Sequence, residues 1–402
     1  MSAMTDIAAG PFSSLDNLLE GGCRQGVYPA ALALVGLKGE LLWEGAAGRV
    51  SQAPGADKAT SMTIFDLASL TKPLATALGV LCLEHEGKLA LDANLGEIIR
   101  DSWLPEDKKP LTIRGLLTHR AGLPAWRPFY ERLLNAPPWK RGQMLPRLAA
   151  AEPLEHPPDT VTLYSDLGFM LLQAAVEAAS GLTLDRFCEE RIYHPLGLKI
   201  LGFKPLPTGA QAIVTTEDRR PKTKDRIYAA TETGLIPDRP MAGEVHDENA
   251  WAAGGVAGHS GLFGPGFEVF RLLAALYRAY HGEPARDLQP FPPELVRRFF
   301  TPIPGGRALG FDVPSPDAAS CSAGRFFSPN SVGHLGFTGT SFWLDLDLGQ
   351  MVVLLTNRVH LGRDDKTKIQ AFRPRFHEAA SRALGFTKAF RNQKPKTENR
   401  KP

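Results

Sequence analysis

Hydrophobic and polar positions follow a strand pattern near both ends of the chain. After a short amphipathic helix around residues 15–19, AALALVGLKGELLWEGAAG carries two apolar runs on either side of Lys38-Gly39, a pair typical of a tight turn. Near the C-terminus, TSFWLDL and QMVVLLTNRV are joined by a turn at residues 347–349, and a helix is expected over 369–384. The pattern predicts an α+β fold, in which strands from both ends form one antiparallel sheet flanked by the terminal helices.

The middle of the chain follows the helical period instead. One helix is expected to begin near Ser69 and to end at Gly87, and a short helix in LTIRGLLTHRAGLP has Thr112 as its candidate cap. Two further helices are expected in LGFMLLQAAVEAASG, closed by Gly181, and in TLDRFCEERIYHPLG. A glycine-dense corner, AAGGVAGHSGLFG, leads into a helix at residues 269–280. These elements predict a mostly helical domain inserted between the two halves of the sheet.

The expected domain boundaries follow from these elements. Residues 1–66 and 255–385 form a discontinuous sheet domain, and residues 67–254 form the inserted helical domain. Within the insert, residues 204–250 are rich in proline, threonine and charge, which predicts a long surface loop that is either a functional lid or disordered. Residues 386–402 are basic and have no apolar face to bury, which predicts a disordered tail.

The net charge is concentrated in that tail. The whole chain of 402 residues has a formal charge of +3, and the final stretch KAFRNQKPKTENRKP contains six Lys and Arg and one Glu. The rest of the chain therefore carries −2, which is not the basic surface that a nucleic-acid groove requires. The sequence predicts no nucleic-acid partner, and it does not indicate the oligomeric state.

The cysteines and the N-terminus bear on the compartment. Cys23, Cys82, Cys188 and Cys321 are far apart, which is neither a disulfide scaffold nor a zinc pattern. The N-terminal stretch has no basic residue before Arg24 and no continuous apolar run, so neither a signal peptide nor a membrane anchor is expected. The sequence predicts a cytoplasmic protein.

Candidate chemistry begins with DLASLTKPLATA, in which Ser69 precedes Lys72 by three residues. Three residues are almost one helical turn, so the two side chains would share a face. A lysine beside a serine hydroxyl can accept its proton if burial or positive charge disfavours the ammonium. The alternative is a serine that caps a helix, followed by a solvated lysine.

Two further stretches could meet Ser69 at the junction of the sheet and the helical insert. In LYSDLGF, Tyr164 and Asp166 could enter one cleft, although Asp166 is also placed as an N-cap for a helix starting at Leu167, and Tyr164 could be a core aromatic. In GHLGFTGTSFW, His334 is expected to open a strand. Gly336 would let the backbone pass close to a ligand, with the following amide, that of Phe337, facing a carbonyl oxygen. The alternative for this stretch is an ordinary β-turn.

Together, SLTK, YSD and HLG resemble the three motifs of the serine β-lactamase and penicillin-binding-protein superfamily, and most closely its class C β-lactamase-related branch. LLTHRAGLP, LEHEGKLALD and GHLGFTGTS also resemble stretches of that branch, so the similarity covers roughly residues 15–385.

This resemblance implies a serine hydrolase that works through an acyl-enzyme, with no metal and no organic cofactor. Ser69 would be the nucleophile, and Lys72 and Tyr164 would share the role of general base, with the pKa of Tyr164 lowered by Lys72. The amides of Ser69 and Phe337 would form the oxyanion hole. The substrate would be a small ester, amide or peptide.

Two residues depart from the family pattern at substrate-binding positions. Asp166 stands where an asparagine amide is typical, and His334 replaces the lysine of penicillin-recognising enzymes. A histidine is mostly neutral at pH 7, so a fixed cation for a substrate carboxylate is missing at that position. These changes favour a carboxylesterase-like enzyme or a cell-wall-peptide amidase that hydrolyses short uncharged esters well and β-lactams weakly. A true β-lactamase or D,D-peptidase, and a non-catalytic binding protein on the same fold, are the alternatives.

Two motifs carry chemistry that the main interpretation does not use. AGHSGLFG resembles a nucleophile elbow around Ser260, but its second glycine comes one place too early. VHDEN offers His246, Asp247 and Glu248 as metal-type side chains, but adjacent residues rarely face one ion, so a loop or lid contact is expected instead of a metallohydrolase site. The longer stretch GEVHDENAWAAGGVAGHSGLF resembles a subgroup of hydrolases, some of them associated with cell-wall fragment recycling.

Overall fold

The computed structural model describes residues 10–206, 226–233, 239–283, 290–317 and 321–390. The strands of these residues are β1 (Ala30–Leu37), β2 (Glu40–Gly48), β3 (Ile64–Asp66), β4 (Gly202–Phe203), β5 (Leu262–Pro265), β6 (Ser331–Leu335), β7 (Ser341–Asp345) and β8 (Gln350–Thr356). The α-helices are α1 (Ser13–Arg24), α2 (Leu78–His85), α3 (Leu95–Ile98), α4 (Ile113–Leu117), α5 (Tyr130–Leu133), α6 (Pro138–Ala151), α7 (Asp166–Ser180), α8 (Leu184–Cys188), α9 (Glu248–Ala252), α10 (Gly266–His281), α11 (Pro293–Phe300) and α12 (Thr367–Ala383).

Strands from both ends of the chain form one antiparallel sheet, in the order β2-β1-β8-β7-β6. The hairpin of β1 and β2 turns at Lys38 and Gly39, whose φ angles of 51° and 81° are the left-handed values that such a turn requires. The predicted α+β fold, with a sheet shared by the two ends and helices between them, is confirmed. The division into two domains stays a prediction.

Strand β1 is apolar at nearly every position because both faces of the sheet are covered. Leu32 and Leu34 join the large core with the helical insert and α10. Ala33 and Val35, on the opposite face, pack in a second core with residues of α1 and α12. At one edge of this sheet, β6 packs against the segment Ala68–Leu70, where the functional residues lie.

A second sheet of three short strands, in the order β3-β5-β4, was not expected from the sequence. Its strands have two to four residues, which is too short for an alternating pattern to be recognised. This sheet matters for function because β3 ends at Asp66, directly before the turn that carries Ser69.

The predicted helices are confirmed, with one difference at the most informative place. The helix near Ser69 begins as a 3₁₀ turn at Ala68–Leu70, continues as a π-helix at Lys72–Ala77, and becomes α-helical only in α2. Wide turns of this kind are frequent at functional sites.

Other expectations are corrected or fall outside the described residues. His334 lies near the end of β6 and does not open a strand. Of the expected loop at 204–250, residues 207–225 and 234–238 are outside the described part, as is most of the expected tail, 391–402. Among the described residues no single helix could cross a membrane, although the pair Asp166–Ser180 and Leu184–Leu196, bent by 70°, passes the same test of length and composition.

Candidate active site

The turn before Ser69 is held by the carboxylate of Asp66. Its Oδ1 accepts a hydrogen bond from the backbone N–H of Ala68 at 2.8 Å, and its Oδ2 accepts one from the N–H of His246 at 2.7 Å. Ala68 has a φ of 49°, a left-handed value that is unfavourable for a residue with a Cβ atom. The turn projects Ser69, which is only partly buried, into a cleft, while its neighbours Ala68 and Leu70 are buried.

Lys72 lies directly behind Ser69 and has no solvent exposure. Its Nζ atom is 3.1 Å from Ser69 Oγ, 3.1 Å from the carbonyl oxygen of His259 and 2.7 Å from Asp166 Oδ1. The alternative of a solvated lysine is therefore wrong. Burial alone lowers the pKa of Lys72, but the carboxylate of Asp166 and the phenol of Tyr164 together raise it more. Lys72 is thus an ammonium before substrate arrives, so the condition that the ammonium be disfavoured is not met in the resting site.

Tyr164 stands over Lys72, with the ammonium 5.0 Å from the centre of its ring. His119 packs on the same ring at a centroid distance of 4.5 Å, and the guanidinium of Arg307 lies 5.2 Å from it. Burial raises the pKa of Tyr164 more than Lys72 and the hydrogen bond with Ser69 lower it. The expected net lowering of this pKa is therefore wrong, and Tyr164 is a neutral phenol in the resting site.

Asp166 has a different local role from the one that its position suggested. The N-cap of α7 is Ser165, whose Oγ accepts a hydrogen bond from the N–H of Gly168 at 3.3 Å. Asp166 is the first residue of the helix itself, and its carboxylate pairs with Lys72. The capping interpretation of Asp166 is therefore wrong. Asp166 is not among the residues that line the cleft, and its predicted role in substrate binding stays a prediction.

His334 and Gly336 face Ser69 from the end of β6. His334 is buried, and its burial lowers its pKa to about 4, with Arg307 and Lys72 acting in the same direction, so the imidazole is neutral at pH 7. A Cβ atom on Gly336 would lie 2.0 Å from Thr340 Oγ1 and 2.8 Å from the carbonyl oxygen of Leu67. The glycine is thus required for close packing of the strand end against the nucleophile turn.

Five of the predicted site residues line one cleft of about 340 Å³: Ser69, Tyr164, His334, Gly336 and Phe337. We call one side of it the nucleophile wall, which consists of Ser69 and Tyr164 at the cleft and of Lys72 and Asp166 directly behind them. We call the other side the strand wall: His334, Gly336, Phe337, Arg358 and Arg373. Ser69 and Phe337, whose amides are the predicted oxyanion hole, both line the cleft.

The strand wall carries cations that sequence reasoning missed. Arg373 is 7% exposed, and its Nη2 donates to the carbonyl oxygens of Gly336 at 2.7 Å and Thr340 at 2.9 Å. Its Nε has no hydrogen-bond partner among the described residues. Burial, with repulsion from Arg358, lowers the pKa of Arg373 to about 9, so the side chain keeps its charge at neutral pH.

The other cations of the cleft are engaged to different degrees. Arg307 is neutralised by an ion pair with Asp312. Arg358 donates from Nε to the carbonyl oxygen of Phe337 at 2.9 Å, and Lys366 lies 4.7 Å from the centre of the Phe337 ring. The cleft is therefore more positive than His334 alone suggested.

The comparison with known families agrees with this arrangement. A profile described as Beta-lactamase matches residues 15–373. The chain belongs to the Beta-lactamase family. The protein is a serine hydrolase related to β-lactamases and penicillin-binding proteins, as the sequence predicted.

Individual relatives in and near the Beta-lactamase family span different activities. A protein of Escherichia coli (strain K12), whose name proposes a D-alanyl-D-alanine carboxypeptidase, is 33% identical over 353 residues, which cover 83% of this chain and 79% of that protein. The octameric penicillin-binding protein homologue from Pyrococcus abyssi has a TM-score of 0.66 at 18% identity, covering 92% of this chain and 76% of that one. EstCE1, a hydrolase with promiscuous acyltransferase activity, has a TM-score of 0.66 at 20% identity, covering 90% of this chain and 98% of that one. At these identities the two structures show the shared fold alone.

The motifs AGHSGLFG and VHDEN occupy different places in this Beta-lactamase family member. Ser260 is buried and does not line the cleft. Asp247 makes the expected loop contact, because its Oδ1 accepts a hydrogen bond from the N–H of Ala250 at 2.8 Å and caps α9. Asp247 also pairs with His259, whose Nε2 is 2.9 Å from the same oxygen. No single spacing predicts this pair, but both residues lie in the stretch GEVHDENAWAAGGVAGHSGLF, which resembles a subgroup of hydrolases.

Proposed function

We propose that the protein cleaves an ester or amide bond through an acyl-enzyme on Ser69. The observation that carries this proposal is the fully buried Lys72 Nζ, which lies 3.1 Å from Ser69 Oγ at the bottom of an open cleft. This lysine is fully removed from water. Its contact with Ser69 has the geometry of a nucleophile and its base in acyl transfer.

The steps follow from the nucleophile wall. Ser69 Oγ attacks the substrate carbonyl, and its proton passes to the coupled pair of Tyr164 and Lys72 once that pair has lost a proton. The amides of Ser69 and Phe337 stabilise the negative oxygen of the tetrahedral intermediate. Tyr164 returns the proton to the leaving group, and a water then enters along the same path and releases the acyl group from Ser69.

We propose a substrate with a carboxylate next to the cleaved bond. Arg373 supports this proposal, since its buried Nε is unpaired among the described residues and its side chain lines the cleft. The relative of Escherichia coli, whose name proposes a D-alanyl-D-alanine carboxypeptidase, supports the same substrate class. The absence of a cation at His334 therefore does not by itself favour uncharged esters.

A neutral ester is the second candidate, and His334 is the observation that favours it. The imidazole has a pKa of about 4 and adds no charge to the strand wall at pH 7. If Arg358 and Arg373 only hold the backbone of the strand wall, small uncharged acyl groups would be preferred.

A matched pair of substrates distinguishes the two candidates. One is an acyl-D-alanyl-D-alanine peptide, and the other is the same peptide with a C-terminal amide. We expect kcat/KM at pH 7.5 to favour the free carboxylate by about tenfold or more, since a charge-assisted hydrogen bond contributes roughly 1.5–3 kcal/mol. In Arg373→Gln this preference should disappear, while Ser69→Ala should be inactive on both. Equal rates for the two peptides, or faster cleavage of a p-nitrophenyl ester alone, would reject the carboxylate proposal.

A further inference from the structure

A second buried pair lies behind the nucleophile wall, and the mechanism above does not use it. Asp247 and His259 are 2.9 Å apart, and His259 is 1% exposed. Polar side-chain atoms of Asp166, Asp247 and His259 all lie within 4.8 Å of one another. The carbonyl oxygen of His259 also accepts a hydrogen bond from Lys72 at 3.1 Å. The pair is therefore in contact with the group that must accept the proton of Ser69.

The hydrogen bond between these two side chains has one direction. Nε2 of His259 faces Asp247, whereas Nδ1 is buried with no hydrogen-bond partner among the described residues. A carboxylate oxygen accepts, so the ring donates from Nε2 and is held against Asp247 by this bond. Asp247 supplies the negative charge of the pair.

That negative charge acts on Lys72. Burial raises the pKa of Asp247, but His259, the N–H of Ala250 and the ammonium of Lys72 together lower it well below its usual range. The charged and titratable groups around Lys72 are the following: Asp166, Tyr164, His119, Asp247, His259, His334 and Arg307. The two histidines in contact with Tyr164 or the strand wall are neutral, because burial lowers the pKa of both His119 and His334. Asp166 and Asp247 are thus the anions of this group.

We propose that Asp247 is a second counter-ion of Lys72, held in place by His259, and that it sets the pH at which Ser69 becomes a nucleophile. The proposal rests on the proposed function of Ser69. Asp247 is a positioning residue, since it acts on Ser69 through Lys72. Asp166 holds the ammonium directly, and Asp247 adds to its stability from the side of His259.

The consequence is a defined change in the pH profile. Removing one anion near Lys72 makes the ammonium easier to deprotonate, so the acid limb of the reaction should move to lower pH. A carboxylate oxygen of Asp247 lies within 4.8 Å of a carboxylate oxygen of Asp166, the direct partner of Lys72. Opposite charges this close to a titrating site typically change its pKa by about one unit. The apparent pKa of the acid limb belongs to the coupled group of Lys72, Tyr164 and Asp166 and not to one residue. Removal of a nearby anion lowers this apparent pKa whichever of the three loses the proton.

The experiment measures the rate at which a fluorophosphonate probe labels Ser69 between pH 5 and 10, so it needs no natural substrate. In Asp247→Asn, which keeps a side-chain acceptor for Ala250, we expect the acid limb to fall by about one pH unit relative to the wild type. Asp247→Glu keeps the charge and should restore the wild-type limb. His259→Gln can still donate to Asp247, so its limb should stay near that of the wild type.

The outcomes separate the two proposals. Failure of the wild type to be labelled at Ser69 would overturn the proposed function itself. Labelling of the wild type with an unchanged or higher limb in Asp247→Asn would overturn the counter-ion role. An equal fall in His259→Gln would show that the shape of the loop matters and not the charge of Asp247, and would also overturn it. Thermal unfolding of each variant confirms that folded protein is compared.

Discussion

The nucleophile wall and the strand wall face each other across one cleft, but they hold their charges in different ways. On the nucleophile wall the fully buried ammonium of Lys72 lies 2.7 Å from the carboxylate of Asp166. On the strand wall the buried guanidinium of Arg373 donates to carbonyl oxygens, and no carboxylate of the described residues forms an ion pair with it. A paired charge fixes a geometry, whereas an unpaired charge can bind a ligand.

The paired charges of the nucleophile wall and the unpaired charge of the strand wall suit two different tasks, which are proton transfer and substrate recognition. Proton transfer needs charges whose positions and pKa values are fixed before substrate arrives. Recognition needs a charge that a substrate carboxylate can neutralise. On the strand wall itself, His334 is buried and neutral and adds no charge next to the cations.

The largest expected effect tests whether the nucleophile wall carries the chemistry at all. Ser69→Ala should reduce turnover by several orders of magnitude and should abolish covalent labelling, because loss of one member of a nucleophile–base unit removes most of its contribution. The Ser69 hydroxyl is only partly buried and bonds with the side chains of Lys72 and Tyr164, and Lys72 keeps its ion pair with Asp166, so the melting temperature should change little. Labelling that persists on another serine, such as Ser260, would contradict the assignment.

A second test compares two members of the same wall. Lys72→Ala and Tyr164→Phe should each lower the rate severely, and the double variant should be little worse than either one. Only Lys72→Ala should also destabilise the protein, by roughly 3 kcal/mol or more, because it leaves the Asp166 carboxylate without its partner. Chemical denaturation alongside kinetics measures both effects. Additive rate losses would show that the two residues act independently.

A third test measures how the folding stability changes in acid, where the buried His334 of the strand wall and the buried His377 take up protons. Burial lowers the pKa of His334 and of His377 to about 4 in the folded protein. Unfolded chains bind these protons at about pH 6.5, so the unfolded state takes up more protons as the pH falls, and folding stability decreases from pH 6.5 towards pH 4.

His334→Gln and His377→Gln should each flatten this decrease, as measured by melting temperature against pH. His377 is on the buried face of α12 and does not line the cleft, so only the change at His334 should alter kcat/KM. A steep acid transition that survives in both variants would assign it to other groups.

The smallest expected effect concerns the cap that positions the nucleophile wall. Ser165→Ala removes the hydrogen bond to Gly168 and should lower the free energy of unfolding by about 1 kcal/mol. Asp166 starts the same helix, so the rate should also fall modestly as its carboxylate becomes less well placed. Ser165→Asn, which can cap as well, is the matched control and should restore both stability and rate.

The sequence predicted most of the fold, because the apolar residues of long amphipathic helices and strands recur with a recognisable period. The hairpin at Lys38 and Gly39, the caps at Thr112 and Gly181 and the terminal helices all follow from local pattern and local chemistry. The three-stranded sheet could not be predicted, since its strands of two to four residues come from distant parts of the chain and are too short for a recognisable pattern. The residues that spacing and the family resemblance selected do lie together, since Ser69, Tyr164 and His334 line one cleft and Lys72 contacts Ser69, while their roles stay predictions.

The electrostatics of the site could not be predicted in the same way. The pKa of Lys72 is set by Asp166, which lies far away along the chain, and the lowering of the Tyr164 pKa by Lys72 is outweighed by burial. Arg373 was not recognised because a single arginine in a helix has no motif. Such effects depend on burial and on contacts between distant segments, neither of which a linear pattern contains.

Ala68 adopts a left-handed backbone conformation directly before the nucleophile, with a φ of 49°. For a residue with a Cβ atom this conformation costs roughly 1–2 kcal/mol, which the bond from its N–H to the Asp66 carboxylate offsets. The same carboxylate also accepts the N–H of His246, so one buried side chain joins the segment before the serine to a loop that is 180 residues further along the chain. The direction in which Ser69 points is therefore a property of that long-range junction and not of the turn alone.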